Sequence, residues 1–362
     1  MKKRISILLA TLFAVSMLSG CGAKKDTPAA TDTTKPAASE GAIVKLGLGH
    51  ISSIKSSADL EKGKGATGQV DTALAAVGFD KDGKVVSVTI DNAQTKVLFN
   101  DDLTLKTDTK AAGQTKVELK DKYGMIKASK IGKEWYQQAD ALGQWMVGKT
   151  VDEIKGMKTK KVNEEHPAVP DVAELASTVS MNVGDYLAAV EEASKNAIDV
   201  TGGVKVGLGH EISTASSKAL GTADGKEVLP VAQVDAEMVA AAFDKDGKVV
   251  GAIVDCAQTK VTFDKDGKVT ADKATAPLTK VELKDKYGMI KASKIGKEWY
   301  QQADALGKWM VGKTVDEIKG MKTKKVNDQH PAVPDVAELA STVSMNVGDY
   351  LAALAEAATN AK

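Results

Sequence analysis

Two cysteines in 362 residues, Cys21 and Cys256, are too few for a disulfide framework. No C-x-x-C or C-x-x-C-H spacing is present for an iron–sulfur cluster or an attached haem. Aromatic residues make up 4% of the chain, so its cores must lean on Ala and Val. One histidine in each HPAVP segment and one in each GLGH segment are too few for a zinc site. They read as surface residues, and no metal is expected. Lys+Arg 49 against Asp+Glu 48 leaves no excess of either sign, which argues against a nucleic-acid partner. No Ser-His-Asp set or catalytic carboxylate pair stands out, so no catalytic residues are assigned.

What is present begins at the N-terminus. Lys2, Lys3 and Arg4 precede the apolar run Ile5–Leu18 and then small residues, the pattern of a secretory signal over residues 1–20. The run is short for a transmembrane helix. Leu18-Ser19-Gly20-Cys21 has the form of a bacterial lipobox, which would make Cys21 the lipidated mature N-terminus. Residues 21–42 then read as a disordered Ala/Thr/Pro/Lys/Ser tether. Its reach is on the order of 25 Å, which would keep the folded part near the outer membrane face. With Cys21 lipidated, Cys256 has no partner, and Asn92 stands at its place in the first copy, so it reads as a bystander.

The rest is one unit used twice. Lys116–Gly143 returns letter for letter at Lys280–Gly307, and Trp145–Ala189 returns at Trp309–Ala353 with two changes, Glu164/Asp328 and Glu165/Gln329. The expected domains are 43–198 and 203–362, roughly 160 residues each, long enough for separate cores. The connection Asn196–Val204, with Gly202-Gly203, offers little to bury. The more diverged stretch before Lys116 carries more information, because young copies agree everywhere else.

In each copy GLGH (Gly47–His50; Gly207–His210) lacks the G-x-G-x-x-G spacing and reads as a turn or strand end. A Ser/Gly-rich loop follows, to about Gly68 and Leu229. Val70–Phe79, the turn Asp80–Gly83 and Lys84–Asp91 form a hairpin. Alternation of Val86, Val88 and Ile90 with Ser87, Thr89 and Asp91 predicts a half-buried strand. It ends in a retained polar string, Asp91–Val97 (Asp255–Val261), either a strand end or a cluster facing a ligand. Ile131, Trp135, Gln138/Ala139, Leu142 and Trp145/Met146 share a helical face, with the tryptophans read as core. Thr150–Glu153 is a capping box. Asp171–Ser180 precedes a helix from about Val183, where free N–H groups would favour a phosphate, although plain N-capping also accounts for the hydroxyls. The fold class is α+β: two tandem copies of a small domain with an antiparallel sheet and packed helices, after the tether.

This order of a glycine-turn hairpin, a strand ending in a polar Thr, a helical middle and Asp…Ala-Ser-Thr-Val-Ser before a closing helix resembles the FMN-binding domain family. That domain occurs in the C subunit of the sodium-translocating NADH:quinone reductase. With the lipobox, the whole arrangement resembles flavinylated lipoproteins of Gram-positive extracellular electron transfer. The resemblance implies covalent FMN, two per chain, each phosphate esterified to a threonine by a separate flavin transferase. Thr178 and Thr342 match the esterified threonine best. Ser177 and Ser341 fit the spacing from Asp171 and Asp335 instead, because the family's D-x-x-S-G-A-T pattern is altered here. Thr95 and Thr259, with Gln94, Gln258, Asp91 and Asp255, form a second candidate group, better placed to touch the ring than to bear the phosphate.

The resemblance thus implies an electron carrier on the outer face of the cell membrane rather than a substrate-converting enzyme, with a quinone-linked membrane oxidoreductase as donor. The alternative is a cell-surface binding module for a wall polymer or small solute, with no redox role.

Overall fold

The computed structural model describes residues 42–362. The expected signal segment, Cys21 and nearly all of the expected tether lie outside the described residues. The first half runs β1 (Ile43–Ser53), β2 (Ala58–Glu61), β3 (Gly65–Phe79), β4 (Val85–Leu98), α1 (Lys116–Leu119), α2 (Trp135–Met146), α3 (Val151–Lys155), β5 (Thr159–Lys160), β6 (Val169–Pro170) and α4 (Gly184–Lys195). The second half runs β7 (Ile198–Gly203), β8 (Lys205–Ser213), β9 (Gly221–Ala223), β10 (Lys226–Val228), β11 (Val231–Phe243), β12 (Val249–Thr262), α5 (Lys280–Leu283), α6 (Trp299–Met310), α7 (Val315–Lys319), β13 (Thr323–Lys324), β14 (Val333–Pro334) and α8 (Gly348–Asn360). The fold is mixed α and β with antiparallel sheets.

Of the two large sheets, one has the order β2-β3-β1-β7, with β4 also pairing β3, and the other has the order β12-β11-β8; β9 pairs β10, β5 pairs β6 and β13 pairs β14 in two-stranded ribbons. Leu74 and Ala76 of β3 pack into a core shared by both halves, whereas Ala73, Ala75 and Val77 pack against the first half's helices. In β11, Met238, Ala240 and Ala242 enter the shared core, while Val239, Ala241 and Phe243 meet the second half's helices. A strand covered on both faces needs apolar residues at every position. This accounts for the unbroken runs around Ala73–Val77 and Met238–Phe243. The layers are therefore helices, sheet, sheet, helices. Small residues let the sheets approach: a Cβ on Gly68 would lie 2.2 Å from that of Ala232. Phe99 and Phe263 meet edge to face at 5.2 Å.

Three expectations are corrected by this sandwich. β4 is not half-buried, because its polar face looks at the second half rather than at water. Ser87 Oγ donates to the Lys362 carbonyl at 2.8 Å, and Asp91 is 3% exposed. The connection after α4 is strand β7, paired with β1 (Leu46↔Ile198), and its Val200 lies in the shared core. The halves accordingly do not bury separate cores only. The expected loop before Gly68 also contains β2 and the start of β3.

Other expectations match. Gly83 turns the first hairpin at φ 75°, with Asp80 Oδ1 accepting the Asp82 and Lys84 N–H groups. Thr150 and Glu153 form the capping box. α2 buries Trp135, Gln138, Ala139, Leu142 and Met146, while Ile131 lies ahead of the helix. Trp135 is core; Trp145 is only half-buried, under the Lys149 ammonium at 4.4 Å.

Candidate functional site

The GLGH segments lie inside strands β1 and β8, not at turns. A Cβ on Gly49 would fall 1.8 Å from the Ala189 carbonyl oxygen, and one on Gly209 would fall 1.8 Å from that of Ala353. Glycine here lets α4 and α8 lie directly on the strand backbone. That contact sets a helix glutamate over each histidine. The His50 N–H donates to Glu192 Oε2 at 3.0 Å, and the His210 N–H donates to Glu356 Oε2 at 2.7 Å.

Both histidines are buried, 5% and 4% exposed, which corrects their reading as surface residues. Each reaches across to the other half. His210 Nε2 is 2.9 Å from Asp91 Oδ2 and its Nδ1 is 3.3 Å from Glu356 Oε2. His50 Nε2 is 3.2 Å from Glu192 Oε1, 3.8 Å from Asp255 Oδ2 and 3.8 Å from Glu282 Oε2. Asp91 is further held by Thr115 Oγ1 (2.8 Å) and the N–H groups of Asn92 (2.6 Å) and Val117 (3.1 Å). Asp255 has the same partners in Thr279, Cys256 and Val281. Burial alone would lower the His210 pKa. The Asp91 hydrogen bond and the charges of Asp91, Glu356 and Glu118 outweigh it and raise the imidazolium to about 9. Burial pushes the carboxyls of Asp255, Glu192 and Glu356 up.

A cleft of about 1320 Å³ opens on the helical side of the second half, with Thr109–Ala112 of the first half on its rim. Lys280 Nζ stands 5.4 Å from the ring centre of Tyr287 and 5.2 Å from that of Trp299. Glu237 and Tyr350 also line the cleft. Among the described residues, Glu237 Oε2 is buried with no hydrogen-bond partner. Burial, then the charge of Asp349, pushes the Glu237 carboxyl up to about 8. Cys256 faces Glu237 in register and is fully buried, which pushes its thiol up. In the first half Lys116 stands over Tyr123 (5.1 Å) and Trp135 (5.4 Å), but Ala73 and Asn92 replace Glu237 and Cys256.

The sequence candidates are distributed unevenly around this geometry. Asp335 lines the cleft, and Thr342 lies between the lining residues Ala340 and Val343. Thr178 and Thr342 are half-buried, and their hydroxyls donate to the carbonyls of Leu175 and Leu339 at 3.4 Å. The helix expected from about Val183 is α4, which begins at Gly184 behind an N-cap at Val183, so Thr178 lies ahead of it as expected; the Thr178 N–H donates to the Leu175 carbonyl. Ser177 and Ser341 are exposed. Asp171 and Asp335 are exposed and pair with Lys160 and Lys324 at 2.9 Å.

The Asp91–Val97 string divides between the sheet faces. Ala93 and Val97 enter the shared core, so Asp91 and Thr95 between and beside them share that inward face. Thr95 and Thr259 are buried there, on the face away from the helical side and its cleft. Gln94 lies on the other face, donating to Asp71 Oδ1 at 2.8 Å and accepting from the Tyr123 hydroxyl at 3.4 Å. Gln258 is half-buried at the equivalent place.

The lysine–tyrosine pairs and Glu237 were missed in the sequence, where they look like ordinary surface charge. Gln138 was also missed as a polar group. Its Oε1 accepts the N–H groups of Ser180 (2.8 Å) and Met181 (3.1 Å), tying the segment after Thr178 to α2.

Among known proteins, no family model, curated protein or solved structure matches this chain. Among the described residues, no helix is long and apolar enough to cross a membrane.

Proposed function

We propose that the chain consists of two tandem FMN-binding-type units and is a membrane-anchored extracellular electron-transfer flavoprotein. In this reading Cys21 carries the lipid, and Thr178 and Thr342 each carry one FMN through a phosphodiester made by a flavin transferase. A quinone-linked membrane oxidoreductase supplies the electrons, and acceptors lie outside the cell. The observation that carries the reading is the cleft beside Thr342, where a lysine ammonium stands over two aromatic rings.

The cleft exceeds the ~300–1,000 Å³ of ordinary small-molecule pockets, so it has room for a flavin mononucleotide. Its chemistry fits too. The half-buried Tyr287 offers an apolar ring beside the buried Trp299, Lys280 offers a cation, and Glu237 Oε2, unpartnered among the described residues, offers a hydrogen-bonding group. With its carboxyl raised to about 8, Glu237 is largely protonated at neutral pH and can donate as well as accept. The bound isoalloxazine would supply the redox chemistry, and the chain would orient it and set its surroundings. Covalent attachment suits a secreted carrier, because no cytosolic pool can replace lost flavin.

The same cleft is lined by charges of both signs, with Glu211, Asp235 and Asp349 beside Lys110, Lys280 and Lys294, which also suits a polar solute. That favours the second reading, a surface binding module. Co-expression with a flavin transferase separates the two. The carrier becomes yellow and gains covalent FMN, whereas the binding module stays colourless.

A further inference from the structure

We propose that His50, Glu192 and Glu282, with Asp255 beside them, bind one divalent transition-metal ion at the junction of the two halves. Three carboxylates converge on one imidazole nitrogen, His50 Nε2, at 3.2 Å (Glu192), 3.8 Å (Asp255) and 3.8 Å (Glu282). A single N–H can satisfy only one of them. A metal with bonds of about 2.1 Å has neighbouring ligand atoms roughly 3.0–3.4 Å apart, so small side-chain shifts close the polyhedron. Ligand atoms of His50, Glu192 and Glu282 already lie within 4.8 Å of one another.

Charge argues the same way. Even a protonated His50 leaves three carboxylates around one positive charge, in a site where His50 and Asp255 are almost fully buried. Such an excess is costly unless a proton or a cation joins it. The ligands are also held in advance, as metal ligands usually are. Glu192 takes the His50 N–H through its other oxygen, Glu282 takes the Thr279 N–H at 2.8 Å, and Asp255 takes the Thr279 hydroxyl at 2.7 Å. Glu282, with its side chain 32% exposed, gives a way in.

The matching cluster at His210 differs. There the ring is occupied on both nitrogens by Asp91 and Glu356, so it serves as an ion-paired clamp and is not assigned an ion. One imidazole with carboxylates suits Zn²⁺, Mn²⁺ or Fe²⁺ better than the soft Cu⁺, and the histidine speaks against Mg²⁺ or Ca²⁺.

The test uses untagged mature chain stripped with chelator. Zn²⁺ binding is followed by calorimetry and Co²⁺ binding by visible absorption. One tight equivalent is expected, with d–d bands for Co²⁺. Glu282→Gln, which keeps an oxygen for the Thr279 N–H, should weaken Zn²⁺ binding at least ten-fold. His50→Gln should abolish it, and the surface variant His166→Gln should leave it unchanged. Absence of a tight equivalent in the wild type would overturn the assignment. So would an affinity untouched by Glu282→Gln in a variant whose circular dichroism is native. The readout needs no flavin, so it stands or falls separately from the electron-transfer reading.

Discussion

His210 Nε2 lies 2.9 Å from Asp91 Oδ2, so a histidine of the second half is locked to an aspartate of the first in a buried pair. Asp91, Glu356 and Glu118 all act on this ring, and its pKa rises from the ordinary 6.5 to about 9. A raised folded pKa gives stability that is complete below about 6.5 and lost as pH rises through about 9. The contribution is on the order of 2–3 kcal/mol. The raised carboxyl of Glu356 adds a decline that starts lower, near the ordinary carboxylate range. Denaturant melts between pH 6 and 10 should show falling stability. Asp91→Asn should cost about 3–5 kcal/mol at neutral pH and flatten the alkaline part of that fall.

The glycines of GLGH should tolerate no side chain. Gly49→Ala would drive a methyl into the Ala189 carbonyl at 1.8 Å, against backbone that cannot yield without moving α4. We expect a loss of more than ~3 kcal/mol, or no folded protein. Gly221→Ala, which meets nothing within 4 Å among the described residues, should change stability by less than ~0.5 kcal/mol in denaturant melts of both variants.

Separating the halves should fail. Residues 43–200 alone would expose Ile43, Leu46, Leu74 and Val97, all buried in the shared core. Light scattering after size exclusion should show dimers or aggregates. A monomer that unfolds cooperatively would mean that the sheet–sheet core is dispensable.

Glu237→Gln should stabilise the chain. A carboxyl raised to about 8 favours the fold most at low pH, and that advantage is lost as pH rises from the ordinary carboxylate range to about 8. Removing the charge should add ~2 kcal/mol at pH 8 and little at pH 4, read by melts at both values.

The contrast between GLGH and the DKDG turns shows what the sequence makes legible. Asp80–Gly83 is a local device, with side chain, backbone donors and positive φ within a few residues, and it reads directly. So do the Thr150 capping box and the buried face of α4. The alternation of β4 was real from Ser87 to Asp91, although a register shift turns Val86 toward the shared core, and a polar face can point at a partner sheet as well as at water. Nothing local distinguishes the two. His50 and Asp255 meet only because the sheets stack, so spacing along the chain could not bring them together. The cleft was legible only in part: Asp335 and Thr342 stood out, whereas Lys280, Tyr287 and Glu237 look like ordinary surface residues until the fold buries them.

The most direct measurement of the central claim is the intact mass of the secreted chain after co-expression with a flavin transferase. The account predicts two added FMN groups, one of them lost in Thr342→Ala and both lost in Thr178→Ala with Thr342→Ala, while Thr95→Ala keeps both. A wild-type chain that stays colourless, with no added mass, would contradict it.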